Sequence, residues 1–337
     1  MNNSLILTAQ QFQAVKGTPS KLIQFDSIQK NLTAKERVKL ELNGASDLTA
    51  HAYTLRVEVS HDNGGALTVD TFQFWSNIIN EISLQLGTGN DIFELGIREC
   101  FYRQLKNRQR VASTIDKTTG SGKTSTLTLI IDLLSIGYLS PRDTALYVDN
   151  YKQKNIYVKG GDFSSVANCT VNTVAMKLKE QFTQNANPIT RKNTDGTASI
   201  INAVRRPVIE MKEMSGASNS FEIAFPENER TTEAYIYVID GNGDLVSGTI
   251  TDVAIKNSHT NIYSDTFAEI QEQNQIDIFS VSNSLFNDVA WLNIAGGKYS
   301  RAINTSLARE KNTKLVMKVN PQGADDLNVV VLFETVR

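Results

Sequence analysis

Cysteine is scarce in this sequence, and long apolar runs are missing. The chain of 337 residues has two cysteines, Cys100 and Cys169, too few for a disulfide framework, and both are predicted to be buried thiols. A helix that crosses a bilayer needs about 20 consecutive apolar residues. The best candidate, residues 127–139, is interrupted by Asp132 and Gly137, so the sequence predicts a chain that does not span a membrane.

The chain also lacks an excess of either charge. Lys and Arg together number 34, Asp and Glu number 36, and the formal net charge is −2. Without an overall positive field to hold a nucleic acid backbone, the chain is not expected to bind nucleic acid sequence-specifically. Apolar residues make up 40% and charged residues 21% of the chain, which is typical of a folded globular protein.

Histidines number only three: His51, His61 and His259. No two of them have the spacing of a metal-binding pair, so a cupin, a jelly roll that binds metal through a His cluster, cannot be built from them. Counting alone leaves a Ser/His/Asp hydrolase open, but the sequence has no Gly-x-Ser-x-Gly elbow. We therefore expect no metal and no cofactor.

Paired carboxylates occur as Glu227 with Glu229 and as Asp325 with Asp326. Both pairs lie in polar turns without a neighbouring acid, base or nucleophile pattern, which favours solvated loops. The segment 240–244 (DGNGD) resembles the start of a calcium loop, but its later positions lack the required Gly and Glu, so a hairpin turn is predicted. No catalytic residues are predicted, and the chain is not expected to be an enzyme.

The segment KTTGSGKTSTLTL, residues 117–129, resembles a phosphate-binding loop. Gly122, Lys123 and Thr124 supply its end, but Lys117 occupies the position of the first glycine. The residues that follow alternate polar and apolar side chains, which is typical of a strand and not of a helix start. A turn leading into a strand is the better interpretation.

Most of the chain has the period of two that is typical of β-strands, with turn residues between short segments. The two halves also repeat one order of elements. Matched positions are separated by 188 residues for Pro19 and Pro207 and by 156 residues for Val174 and Val330. Because the separation falls steadily along the chain, the first half carries the additional loops, which β-folds tolerate.

Each half contains one predicted helix after its alternating strands. The first is expected to begin at Asp91, with Glu94 completing a capping box, and to continue through Leu105. The second is expected to follow a capping box of Thr266 and Glu269. Extra segments of the first half, around residues 66–74 and 110–124, are predicted to be outward tower loops or intersubunit clasps.

The fold class that follows is all-β, with two tandem jelly rolls of about eight strands, each with a short helix inserted. The predicted domains are an N-terminal arm at 1–18, a first jelly roll at 19–182, a linker at 183–206 and a second jelly roll at 207–337. The arm lies outside the repeat, and two interpretations stay open: an arm that becomes ordered only on assembly, against a neighbouring molecule or a membrane surface, or a frayed tail.

With this doubled strand order, the helix after Leu86 and the link GYLSPRD at 137–143, the chain resembles the double jelly-roll major capsid proteins of tailless, membrane-containing icosahedral phages of the tectivirus, corticovirus and finnlakevirus kinds. The resemblance implies homotrimers that form pseudo-hexagonal capsomers and tile an icosahedral shell over an internal lipid membrane. It further implies contacts with neighbouring capsomers, a vertex or penton protein and peripheral contact with the membrane. The expected location is the virion, assembled in the host cytoplasm.

One charged segment stands out in this slightly acidic chain. Five cations fall in thirteen residues with only Glu99 against them: Arg98, Arg103, Lys106, Arg108 and Arg110. One hypothesis is that they contact an anionic partner, either a neighbouring subunit or lipid head groups. The alternative is a solvated helix end, because Lys and Arg commonly occupy the last turn of a helix.

A second function class remains open: a two-domain jelly-roll protein that binds glycans or acts on them. Such sites usually combine exposed aromatic side chains with carboxylates. The sequence has two tryptophans, Trp75 and Trp291, and both fall in strand patterns that indicate the core.

Overall fold

The computed structural model describes residues 21–24, 28–42, 48–87, 91–108, 110–132, 146–147, 153–184, 190–192, 197–200, 205–214, 220–258, 260–277, 288–295, 303–305, 307, 310–320 and 327–336. The chain divides into two compact units, Met1–Val204 and Arg205–Arg337, called unit 1 and unit 2 below. The boundary lies within the predicted linker 183–206. Of that segment the structure describes the end of one strand, a short hairpin and the start of the next strand.

Unit 1 is built mainly from strands. They are β1 Lys21–Gln24, β2 Ile28–Asn31, β3 Arg37–Glu41, β4 Leu48–Asn63, β5 Ile79–Leu86, β6 Asp91–Leu95, β7 Ala112–Thr114, β8 Gly120–Asp132, β9 Leu146–Tyr147, β10 Lys154–Gly160, β11 Cys169–Gln184, β12 Thr190–Lys192 and β13 Ala198–Ile200. Its helices are α1 Thr71–Ile78 and α2 Ile97–Arg108, with a 3₁₀ turn at Phe163–Ser165.

Strands β1 to β11 form two antiparallel sheets with the topology of a jelly roll, and β12 pairs with β13 in a separate hairpin. One sheet has the order β1-β11-β4-β8-β7, with β2 also on β11 and β9 also on β4. The other has the order β3-β10-β5-β6. The chain crosses repeatedly between the two sheets, for example from β2 to β3, from β4 to β5 and from β10 to β11, so that both sheets contribute inward residues to one core.

Unit 2 repeats this arrangement with fewer strands. They are β14 Arg205–Glu213, β15 Ser220–Ala224, β16 Arg230–Ile239, β17 Ile250–Asn257, β18 Thr260–Thr266, β19 Ala290–Asn293, β20 Ile303–Asn304, β21 Thr313–Val319 and β22 Asn328–Val336, with helix α3 at Phe267–Asp277. The sheets have the orders β14-β22-β16-β19 and β15-β21-β17-β18. Helix α2 lies between β6 and β7 in unit 1, and helix α3 lies between β18 and β19 in unit 2. The predicted fold class, an all-β double jelly roll, is confirmed.

The core of unit 2 shows how the period of two produces the sandwich. Phe221 and Ile223 alternate with exposed residues on β15, and Phe333 faces them from β22 in the opposite sheet. The rings of Phe225 and Phe333 lie 5.0 Å apart. Each such buried side chain contributes roughly 1.5–3 kcal/mol to folding, so the two inner faces hold the sheets together.

The predicted tower loop at 66–74 is wrong for its second half, because helix α1 begins at Thr71. The Asp70 side chain accepts a hydrogen bond from the Gln73 backbone N–H, and the Gln73 side chain accepts one from the Asp70 backbone N–H, which completes a capping box. Phe74 and Trp75 are buried on this helix. Burial of its apolar face anchors the segment in unit 1, so it does not project outward.

The predicted start of the first helix at Asp91 is also wrong. Residues 91–95 form β6, which pairs with β5 in the register Phe93 with Leu84 and Leu95 with Ile82. Phe93 and Leu95 are buried while Glu94 between them is exposed, which is strand alternation. Helix α2 starts only at Ile97.

The capping box predicted for the second helix is confirmed. Thr266 Oγ1 accepts a hydrogen bond from the Glu269 backbone N–H at 3.2 Å, and Glu269 Oε2 accepts one from the Thr266 backbone N–H at 3.1 Å. Helix α3 accordingly begins at Phe267.

The two cysteines were predicted to be buried, but the structure shows that both are only half-buried. Cys169 begins β11 at the end of a sheet, and partial burial, followed by the charge of Asp62, raises the pKa of its thiol. The predicted arm at 1–18 lies outside the described residues.

Candidate functional site

Helix α2 carries most of the predicted cationic group. Its apolar side, including Phe101 and Leu105, is buried in unit 1. Arg98 is half-buried, and its Cζ lies 5.8 Å from the ring centroid of Phe72. A guanidinium in this position is held by a cation–π contact while its edge remains accessible.

The structure exposes the other members of this group unequally. Arg103 is only 6% exposed, and its Cζ lies 5.8 Å from the ring centroid of Phe93, so it belongs to the interior of unit 1. Lys106 is half-buried and Arg110 is exposed, while the Arg108 side chain lies outside what the structure describes. Contact of these cations with an anionic partner stays a prediction.

The segment that resembles a phosphate-binding loop is part of a sheet. Lys123 lies opposite His61 in the pairing of β8 with β4, and its Nζ donates to Thr118 Oγ1 at 2.9 Å. Gly122 has φ 68°, and its N–H donates to Asp62 Oδ1 at 2.7 Å. Strand β8, and not a helix, continues directly from Gly122 to Asp132, so the cradle of N–H groups at a helix start that a phosphate requires is not formed there.

The same pairing corrects the predicted loop at 110–124. Within it, β7 and β8 are antiparallel neighbours, with Thr114 opposite Thr126 and hydroxyl oxygens 2.8 Å apart. The segment therefore extends the sheet as a hairpin. Buried residues of β8 begin only at Ser125, after this segment. The loop prediction is therefore wrong for residues 112–114 and 120–124, which are strands, while residues 115–119 form the connection between them.

Three polar side chains meet under this hairpin in the order of a catalytic triad. His61 Nε2 lies 2.8 Å from Ser125 Oγ, and His61 Nδ1 lies 2.8 Å from Asn63 Oδ1. The Asn63 amide donates to the carbonyls of Asp116 and Thr118, both at 2.9 Å. Its oxygen therefore faces His61, which fixes Nδ1 as the protonated nitrogen and Nε2 as the acceptor from Ser125.

This hydrogen-bonded chain is structural. His61 and Ser125 are 0% exposed and Asn63 is 3% exposed, so no substrate can reach the serine. Ser125 Oγ also accepts the backbone N–H of Asp116 at 3.1 Å. Each of these three side chains is thus a hydrogen-bond partner for another buried polar group. Together they fix the turn between β7 and β8.

Replacement of Ser125 by alanine should lower the free energy of unfolding by about 1–3 kcal/mol, because His61 Nε2 and the Asp116 N–H both lose their partner. Urea unfolding followed by circular dichroism measures the change. Thr124→Ala, at an exposed position on the outward face of the same strand, should change stability by less than about 0.5 kcal/mol. Equal effects of the two substitutions would contradict the structural role of the chain.

The segment that resembles a calcium loop forms the predicted tight turn. Asp240 Oδ1 accepts the backbone N–H groups of Asn242 and Asp244 at 2.9 and 2.8 Å, and Ile239 bridges to Leu245. These hydrogen bonds, led by that from Asp244, lower the pKa of Asp240. The carboxylate thus serves the turn itself. Within the described ranges no three His, Cys, Asp or Glu side chains are grouped as a metal site.

The predicted solvated carboxylates differ from one another. Glu227 is exposed, whereas Glu229 is 6% exposed and its Oε1 lies 2.5 Å from Arg206 Nη1. Glu229 does lie in a turn, directly before β16, but the prediction of a solvated side chain is wrong, because its carboxylate is buried against Arg206 of β14. Asp325 and Asp326 lie outside the described residues.

Neither tryptophan forms an exposed platform for a glycan. Trp75 is 0% exposed and lies on helix α1, not on a strand, with Nε1 donating to Ser113 Oγ at 2.7 Å. Trp291 is 6% exposed on β19, and its Nε1 donates to Glu233 Oε2 at 3.1 Å. Both indole rings are buried, and both indole N–H groups donate hydrogen bonds within their own units.

A groove beside α3 was not predicted from the sequence. It has a volume of about 560 Å³, and its floor is apolar, formed by Ile255, Tyr263, Ile270, Trp291, Leu292 and Ile294. Its rim carries the carboxylates of Asp265, Glu269 and Glu272. The available signal is the composition of α3, FAEIQEQNQID, which contains acidic residues and no lysine or arginine.

None of the helices in the described part of the chain has the length and apolar character needed to cross a membrane. Comparison with protein families finds no family model that matches the chain. Comparison with curated proteins finds no match either.

Solved structures do match, over nearly the whole chain. The STIV MCP, from Sulfolobus Turreted Icosahedral Virus, has a TM-score of 0.71 at 12% identity and covers 94% of this chain and 96% of its own. The PBCV-1 virus capsid structure has a TM-score of 0.62 at 10% identity, covering 95% and 94%. The major capsid protein P2 from Bacteriophage PM2 has a TM-score of 0.54 at 12% identity, covering 92% and 98%.

These structural neighbours are double jelly-roll major capsid proteins of viruses. At 10–12% identity the similarity establishes the fold, and both jelly rolls lie within the matched length. The resemblance inferred from the sequence is thereby confirmed at the level of architecture.

Proposed function

We propose that this double jelly-roll chain is a viral major capsid protein whose homotrimers form pseudo-hexagonal capsomers of an icosahedral shell. The observation that carries the proposal is the complete double jelly roll, which matches capsid proteins over more than nine-tenths of both chains. Fold alone does not determine function. Here the match extends over both jelly rolls and not over one of them alone.

The repeated architecture supports a role in closed assembly. Two similar but unequal jelly rolls in one chain turn a threefold oligomer into six similar sides, and six-sided units tile a surface. The helices α2 and α3 occupy equivalent places in the two units, yet the units differ in loops and in charge. Such unequal copies allow contacts within a capsomer to differ from contacts between capsomers.

The finer parts of the proposal come from the resemblance to tailless phages. The shell would enclose a lipid membrane, a separate vertex or penton protein would close the fivefold positions, and residues 1–18 would act as an assembly arm. The protein would reside in the virion after assembly in the host cytoplasm. Its role would be structural and not enzymatic. This agrees with the burial of Ser125, His61 and Asn63, which are hydrogen-bonded to each other in the interior of unit 1.

The purified chain should form a stable trimer. Three chains of 37.3 kDa give a particle of about 112 kDa, which sedimentation equilibrium distinguishes from monomer and dimer. The trimer should persist on dilution to nanomolar concentration, because obligate interfaces are large and apolar. A monomer at high protein concentration would overturn the proposed function.

A further inference from the structure

The equivalent helices of the two units carry opposite charge. Helix α2, IRECFYRQLKNR, is rich in arginine and lysine. Helix α3, FAEIQEQNQID, has three acidic residues and no basic one. Because the helices occupy the same place in the jelly-roll order, their charge is not required by the fold and distinguishes the two units.

The groove beside α3 combines this charge with accessible apolar surface. Glu272 is exposed on its rim and makes no ion pair with a described residue. Ile276, which lines the groove, is 77% exposed, and Ile262 on the neighbouring strand is 36% exposed. An apolar floor with a charged rim is the composition of a protein interface.

Unit 1 presents a surface of opposite charge on the outer face of its larger sheet. Arg56 on β4 lies directly opposite Lys177 on β11, and Lys179 follows on the same face. Arg56 Nη2 lies 3.4 Å from Glu58 Oε2, while Lys177 and Lys179 make no ion pair with a described residue. Like charges directly opposite each other destabilise a sheet, so an acidic partner would stabilise this face.

The corresponding strands of unit 2 do not share this pattern. On β16 and β22, Tyr235 lies opposite Leu332 on the side of the sheet turned away from the core of unit 2, and both side chains are buried. The cationic face is therefore specific to unit 1, just as the acidic groove is specific to unit 2.

We propose that the acidic groove beside α3 of one chain binds the Arg56–Lys177–Lys179 face of a second copy of this chain. The inference rests on the proposed function and deepens it by naming the two surfaces in contact. Because the surfaces differ, the contact is heterologous, and repeating it closes a ring when the rotation is that of a trimer. Glu272 would lie against Lys177, and Ile276 would be covered.

Charge reversal and charge exchange test this contact. Lys177→Glu and Glu272→Lys should each raise the concentration at which half of the trimer dissociates by about tenfold or more, because like charges then face each other. The double variant Lys177→Glu/Glu272→Lys should return the midpoint to within about threefold of the original chain, because opposite charges are restored. Mass photometry on dilution gives the midpoint, and sodium chloride should weaken the original contact.

Matched reversals at exposed positions away from both surfaces serve as controls. Lys311→Glu and Glu36→Lys make the same charge changes and should leave the midpoint within about twofold of the original, as expected for isolated surface charges. Circular dichroism should show that all variants are folded.

The outcomes separate this inference from the proposed function. A trimer that is indifferent to both reversals, or single defects that the exchange does not restore, would overturn the contact and leave the capsid role standing. A chain that is monomeric without any substitution would overturn both the proposed contact and the proposed capsid function. If Lys177→Glu reduced binding to anionic lipid vesicles while the trimer midpoint stayed unchanged, the cationic face would be a lipid surface and the proposed contact would be wrong.

Discussion

Replacement of Phe333 by alanine should lower the free energy of unfolding by about 3–5 kcal/mol. Phe333 is 0% exposed, and its ring lies 5.0 Å from that of Phe225, so truncation removes a side chain that spans both sheets of unit 2. The cavity cannot close easily, because it is surrounded by strands fixed by their ladder hydrogen bonds. Urea unfolding of the purified chain, followed by tryptophan fluorescence and circular dichroism, measures the loss.

Met211→Ala is the matched control for this substitution. Met211 lies on β14 in the same sheet and is 63% exposed, so its truncation should cost less than about 0.5 kcal/mol in the isolated chain. A loss below about 1 kcal/mol for Phe333→Ala would show that the two sheets of unit 2 do not share the packed core described here.

Replacement of Glu229 by alanine should cost about 3 kcal/mol, the lower part of the range for a broken buried ion pair. Its carboxylate contacts Arg206 Nη1 at 2.5 Å, and the Thr335 hydroxyl lies within hydrogen-bonding distance of its other oxygen. These contacts join β14, β16 and β22 where the three strands meet. The substitution removes the carboxylate that contacts the Arg206 guanidinium. Because the Arg206 side chain is 33% exposed, water partly hydrates the guanidinium and reduces the cost.

The chain offers an exposed ion pair as a direct comparison. Glu222 Oε2 lies 2.8 Å from Lys314 Nζ, and the two side chains are 51% and 49% exposed. Glu222→Ala should therefore cost no more than about 1 kcal/mol, because water replaces the lost partner. Thermal and urea unfolding of both variants should separate them clearly. Similar losses would mean that Glu229 is not the buried connection between strands that its contacts indicate.

The fold was largely predictable because the sequence pattern that encodes it is periodic within each strand and repeated in the two halves of the chain. Alternation of polar and apolar residues predicts individual strands, and the matching order in both halves predicts two copies of one domain. Local side-chain chemistry also sufficed at one helix, where Thr266 and Glu269 form a capping box that needs no distant residue. In these cases the determining interactions lie within a few positions of each other.

Predictions failed where a distant contact decides between local alternatives. Asp91 and Glu94 have the spacing of a capping box, but pairing of β6 with β5 buries Phe93 and Leu95 and holds the segment extended. Helix α1 was overlooked because its stabilising contacts, such as Trp75 with Ser113, come from a strand far along the chain. Tertiary packing overrides local preference at such positions.

The candidate surfaces were less predictable than the fold. A run of cations marks α2, but sequence spacing does not reveal that Arg103 turns inward towards Phe93. The cationic face of unit 1 depends on the register that sets Arg56 opposite Lys177, residues that are far apart in the chain. Register and helix orientation arise only when the sheets are assembled, so such surfaces require the structure.

Single-particle electron microscopy of the purified chain tests the central claim most directly. Particles should show threefold symmetry and a pseudo-hexagonal outline, with six similar densities that correspond to two jelly rolls from each of three chains. Particles with a single pair of densities, or with a symmetry that gives no six-sided outline, would contradict the proposal that this chain is a major capsid protein.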